Sequence, residues 1–258
     1  MQREQGFTLV EMIMVVVILA IVASIGSNFV LSALESYRIA QTRNQLVQRG
    51  RLSLEQMARE LRMAVPNSVR VSPGGQCVEF LPVVAATHYQ NAVADQNNNK
   101  AEQTQIAIGN LAGQGGSAQH VVIAPFSPAE IFTAAKPAAR VSITSLGPAS
   151  ITLAAPHRFF RNSVNKRLFL TSDPVRFCVS GGNLVRYSDY GFSTTALGGG
   201  NPGGKSALMA HDVAANNIAF ELSPASQERS MVVRMHLRFS AGTASLDLNH
   251  QVLIRNVP

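Results

Sequence analysis

Glu11 has the clearest chemical demand of any residue in this chain. It stands inside GFTLVEMIMVVVILAIVASI (6–25), a run that is otherwise uncharged and almost wholly apolar. An ionised carboxylate in hydrocarbon costs several kcal/mol unless a cation meets it. Nothing else in the run can pair with it, so its partner has to come from elsewhere.

Other groupings look chemical and fail on context. Gly199, Gly204, Lys205 and Ser206 fit the phosphate-loop spacing G-x-x-x-x-G-K-S. A working phosphate loop follows a buried strand and opens a helix. Here the preceding GFSTTALG is a poor strand and no aliphatic run ending in Asp follows, so a flexible Gly-rich loop is the better reading. Asp95, Asn97, Asn99 and Glu102 are spaced somewhat like a calcium loop. The turn position normally held by Gly is Lys100, itself a cation, and the set holds only two carboxylates. A polar surface loop accounts for these residues, with calcium as the alternative. The six histidines show no H-x-x-x-H pairing, and His236 with His250 could meet only across a terminal hairpin. No Ser-His-Asp or Cys-His grouping can be argued, so neither an enzyme nor a cofactor is expected.

Cys77 and Cys178 lie in two strand-like runs, CVEF and FCV, without zinc or CxxC spacing. In an exported domain they are a natural disulfide closing a loop of about 100 residues, worth up to ~4–5 kcal/mol in the chain-entropy view. In a cytosolic protein they would be two buried thiols.

The element that carries Glu11 is long. From Phe7 the apolar run covers about 19 residues, or ~29 Å of helix, which is one bilayer core. No small-residue cleavage site follows it, so it reads as a retained span and not a secretory signal. The first proline after it is Pro66, which allows a helix of about 58 residues and ~87 Å. Gly50, Leu54, Met57, Leu61 and Ala64 form one stripe able to face a domain, with Arg43, Arg51, Arg59 and Arg62 largely off it. Beyond Pro66 the helical period gives way to short β-forming runs punctuated by Gly, Pro and Asn. The clearest is MVVRMHLRFS followed by AGT and SLDLNHQVLIRN, an alternating hairpin with one apolar face. Segments 92–103 and 198–204 read as loops. The layout expected is α+β: a long N-terminal helix, transmembrane then amphipathic, packed on an antiparallel sheet.

The chain of 258 residues carries a net charge of +7, but its Lys and Arg are scattered and form no run. Anionic partners are therefore possible in principle (nucleic acid, lipid head groups or an acidic neighbouring subunit), while a solvated basic surface is the simpler account. Arg229, Arg234 and Arg238 are the residues that would motivate a DNA-binding or adhesive tip.

The residues Gly6-Phe7-Thr8-Leu9-Val10-Glu11, followed by the apolar run, resemble the prepilin signal of type IV pilins and type II secretion pseudopilins. The resemblance implies the pilin fold. It implies cleavage after Gly6 by a prepilin peptidase, N-methylation of Phe7, and a bond from Glu11, then the fifth residue, to a neighbouring subunit's N-terminal amine. Segments are then expected at 1–6 (leader), 7–26 (membrane and filament-core helix), 27–65 (amphipathic half) and 66–258 (periplasmic β-rich domain). The subunit would sit first in the inner membrane of a Gram-negative cell as a single pass, then in a pilus at the cell surface. Its partners would be other major and minor pilins through the helix, and nucleic acid is not expected.

Within the family, RNQLVQRGRLSLEQMARELRMAVPNSVRV, CVEFLP, PVRFCVSGGNLVRYSDYGF and VLIRNVP are similar to MshO-type minor pilins of the mannose-sensitive haemagglutinin pilus. J-type pseudopilins and PilW-type minor pilins share the layout. Asn28 stands where major pilins carry a proline, which favours a minor, initiating subunit over the fibre protein.

Overall fold

The computed structural model describes residues 6–111, 113–193, 197–223 and 230–254. It opens with helix α1 (Leu9–Arg62), 54 residues long, or ~81 Å at helical rise. Thr8 caps it in extended conformation, its hydroxyl accepting from the Glu11 N–H. The helix stops at Arg62, short of the 65 expected. Met63 closes it, and Val65 donates instead to the Leu81 carbonyl while Ala64 bridges Pro82. Pro66 disfavours helical geometry in the residue before it, so the chain leaves in extended form.

Among the described residues the strands form three sheets, and their pairings are antiparallel. The first has the order β1 (Arg70–Val71), β2 (Cys77–Phe80), β9 (Val175–Ser180), β10 (Asn183–Ser188), β11 (Lys205–His211). The second is β12 (Val213–Ser223), β13 (Met231–Ala241), β14 (Ala244–Ile254). The third has six strands in the order β3 (Val83–His88), β8 (Arg167–Thr171), β5 (His120–Val122), β6 (Arg140–Leu146), β7 (Ser150–His157), β4 (Gln103–Ala107). A short helix α2 (Pro128–Phe132) stands against β6. The architecture is α+β, a long helix over antiparallel sheets.

The third sheet is an insertion. Chain enters it from β2 and returns in β9, and β2 and β9 are hydrogen-bonded neighbours. Residues 83–171 thus form an outer lobe that the chain enters and leaves through one strand pair. Its own core holds Tyr89, Ile106, Val121, Phe159 and Leu170. The inner core joins α1 to the first two sheets through Leu54, Met57, Leu61, Phe80, Phe177, Phe220 and Phe239. Val65, Leu81, Ile131, Phe132 and Phe169 fill the seam.

The terminal hairpin forms as its alternation dictates. Met231, Val233, Met235, Leu237 and Phe239 are all buried, while Arg234, His236 and Arg238 face outward. On α1, burial begins only at Leu46 and follows the stripe Gly50, Leu54, Met57, Leu61. Gly50 is where helix and hairpin come closest: a Cβ there would lie 2.3 Å from Leu248 Cδ1 and 3.2 Å from Phe239.

Candidate functional site

The N-terminal half of α1 is a bare apolar rod. Leu9, Ile13, Leu19, Ile25 and Phe29 are each more than half exposed, and the stretch has a mean hydropathy of 2.7 with none of it buried. By length and composition it can cross a bilayer. Burying this much apolar surface requires lipid or other chains, since none of the other described residues covers it.

Glu11 lies in the first turn of this rod, with its backbone N–H bonded to Thr8. Its carboxylate meets no cation among the described residues. The helix N-terminus supplies a partial positive charge that favours an acid here, yet full compensation needs a cation brought from outside. Gly6 and Phe7 precede the cap and are exposed. The leader residues before Gly6 lie outside the described residues.

The second place where chemistry gathers is the strand pair that carries the outer lobe. Cys77 and Cys178 face each other across β2 and β9 and form a disulfide, with Cα atoms 4.2 Å apart and both residues buried. Two residues along, the fully buried Glu79 accepts from Arg176 at 2.9 Å, from Arg70 and from the Tyr190 hydroxyl at 2.9 Å. Burial, then the neighbouring Glu79 charge, pushes the Tyr190 hydroxyl well above the usual phenol range. Arg176 also reaches the Gly200 carbonyl, and Arg70 the Ser193 carbonyl. Ser193 and Gly200, after β10, are thereby held to this strand pair, and Leu197 and Tyr187 pack in one cluster with the two cysteines. Sequence reasoning passed over Glu79, although a carboxylate inside the apolar run CVEFL signals a buried ion cluster.

The two carboxylates of the calcium-like spacing each have partners within the chain. Asp95 caps the Asn97 and Asn98 N–H groups and accepts from the Asn162 N–H and side chain. Burial pushes this carboxyl up, but the Asn162 amide and the three backbone donors outweigh it and hold it below the usual range. Glu102 pairs with Lys136 at 2.9 Å. A guanidinium takes the inward-turned carbonyls. Arg158 donates to Asp95 O at 2.7 Å, Asn98 O at 3.2 Å and Lys100 O at 2.8 Å. Among the described residues no cluster of three His, Cys, Asp or Glu could hold a metal.

The phosphate-loop letters fall on a hairpin. Lys205 and Ser206 open strand β11, and Lys205 pairs with Asp189 at 2.8 Å. Gly204 sits at φ +70 with Ser188 O 2.4 Å from where a Cβ would be, so its glycine serves the closing turn. His236 and His250 are near in register but on opposite faces: His236 meets Asn249 outside, while His250 points inward. Arg234 and Arg238 are held in cross-strand pairs with Glu221 and Asp247, and Arg229 lies outside the described residues.

Compared with known families, residues 1–27 match the model of the prokaryotic N-terminal methylation motif, the prepilin signal of pilin-like proteins. No curated protein and no solved structure matches the chain.

Proposed function

We propose that this chain is a minor pilin of the MshO type, which takes part in initiating or assembling a type IV pilus. The observation that carries the reading is a bare apolar helix, unburied throughout its first half, that begins within a methylation motif at residues 1–27. In this reading a prepilin peptidase cuts after Gly6 and methylates Phe7, and the freed amine of one subunit meets Glu11 of another. The carboxylate that is a liability in a lone span then becomes a register pin in a bundle of helices. Before assembly the helix holds the subunit in the inner membrane, with residues 66–258 in the periplasm. Other pilins are its partners, and catalysis has no part in the role.

A J-type pseudopilin of a type II secretion system is the second reading. Asn28, in the place of a proline at the twenty-second residue after the cut, favours a minor subunit in either machine. Crosslinking in membranes followed by pull-down separates the two by the subunits recovered.

The direct test is Glu11→Val. The variant should insert into membranes like the parent but fail to enter filaments. Normal incorporation would sink the pairing between Glu11 and a neighbour's amine.

A further inference from the structure

Two adjoining grooves run along the C-terminal end of α1 and share Arg62. The first, about 400 Å³, lies between α1 and β14 and is floored by Leu54, Ala58 and Leu248. The second, about 220 Å³, passes the helix end and is lined by Met63, Phe169 and Arg167. Arg51 and Arg62 stand on one helical stripe, eleven residues or ~16 Å apart. Neither they nor Arg167 form a side-chain hydrogen bond or ion pair among the described residues. Glu55 is the one carboxylate lining either groove. Floor and rim are thus apolar and basic respectively, with three arginines against one carboxylate.

The far rim is β14, at the edge of its sheet and, among the described residues, hydrogen-bonded only to β13. Free edges of this length invite another strand, and proteins usually blunt them with Lys, Pro or a bulge. β14 has none of these; its outward residues include Asp247, Asn249, Gln251 and Leu253. His250 points to the groove side, its Nε2 buried without a partner among the described residues.

We infer that this groove docks an extended acidic segment of a different protein, added as a strand beside β14. Strand addition supplies main-chain bonds, and alternate side chains supply specificity. At ~3.3 Å per residue, the Arg51–Arg62 span matches carboxylates four to six positions apart, with apolar residues between them over Leu54 and Ala58. A second copy of this chain fits poorly: each copy carries +7, and edge-to-edge pairing would bring like arginines together. Nucleic acid fits poorly as well, because the floor is aliphatic and the arginines are spaced well beyond successive phosphates. The inference does not rest on the filament reading, since Glu11 and the apolar rod play no part in it.

The test uses the full chain in detergent and two synthetic peptides. One alternates Val and Thr with Glu at two positions four residues apart; the other carries Lys in place of Glu. The Glu peptide should bind, weaken with salt, and slow amide exchange within β14. Arg51→Glu with Arg62→Glu should weaken it about tenfold or more while leaving the melting temperature near that of the parent. Equal binding of the Lys peptide, an unaffected double variant, or protection away from β14 would overturn the proposal. So would tighter binding of a single-stranded oligonucleotide at the same arginines, or β14 protection arising from self-association without peptide.

Discussion

Arg158 does for the 95–100 loop what an ion does in a calcium loop. It draws Asp95, Asn98 and Lys100 carbonyls onto one positive centre. The Asp95 carboxylate, freed from ligating, organises the loop from its other side through Asn97, Asn98 and Asn162. A cation carried on the chain does not dissociate, so millimolar calcium or a chelator should leave the melting temperature of the parent unmoved. Arg158→Met should cost about 1–2 kcal/mol by stranding three partly covered carbonyls. A calcium-dependent rise in the parent's melting temperature would show that the guanidinium does not fill this role. The sequence made the loop legible as a polar turn with ion-like spacing. It could not reveal Arg158, more than fifty residues on, because that partnership exists only after β7 is laid beside β4. Glu11 lies at the other extreme, since a lone charge in an apolar run announces its own deficit without any fold.

Among the elements, α1 and the terminal hairpin were legible because each repeats one strong period over many residues. The stripe from Gly50 to Leu61 and the alternation from Met231 to Phe239 are buried as their spacing demands. β3, β11 and β12 escaped. β11 (KSALMAH) is exposed on both faces over most of its length and shows no alternation. β12 is broken by a register shift between Ala215 and Phe220, with Asn217 at positive φ. Such strands are held by their neighbours, not by their own pattern. Gly50 illustrates what helix docking requires. Leucine there would gain the helix about 1 kcal/mol, but would drive into Leu248 and Phe239. Overpacking of this kind typically costs about 1–3 kcal/mol. Gly50→Leu should therefore destabilise the inner lobe in urea titration, with the loss concentrated at β13 and β14. An unchanged or raised midpoint would mean that the hairpin yields freely under the helix.

The whole molecule divides its titratable burdens unevenly. The outer lobe, tethered through β2, β9 and their disulfide, carries the buried histidines. His120 contacts Asp173 at 3.0 Å and Ser142 at 3.1 Å, with Phe192 edge-on and Arg140 over the face of that ring. Burial lowers its pKa, Asp173 pulls it back up, and Arg140 lowers it further, for a net shift below the ordinary value. His157 bonds the Ala138 carbonyl; burial again lowers it, the hydrogen bond opposes, and Lys136 and Arg140 outweigh Glu102 among the nearby charges. A base whose folded pKa lies below its unfolded value favours the fold when neutral. Stability is then complete above about pH 6.5 and declines as pH falls from there toward the folded pKa. Asp95 and Glu130, also in this lobe and both held below the usual carboxyl range, extend the loss toward lower pH. For Glu130, burial is overcome by the Arg161 fork and the Phe126 N–H. Acid should therefore loosen the outer lobe before the inner one. Amide exchange, corrected for its intrinsic pH dependence, should show β5, β6 and β7 losing protection as pH falls below about 6.5 while β13 retains its own. The disulfide keeps the loosened lobe attached throughout, so the change should reverse on neutralisation. Equal loss of protection at β13 and β6 would mean that the two lobes unfold as one unit, and that the strand pair joining them transmits more than a tether can.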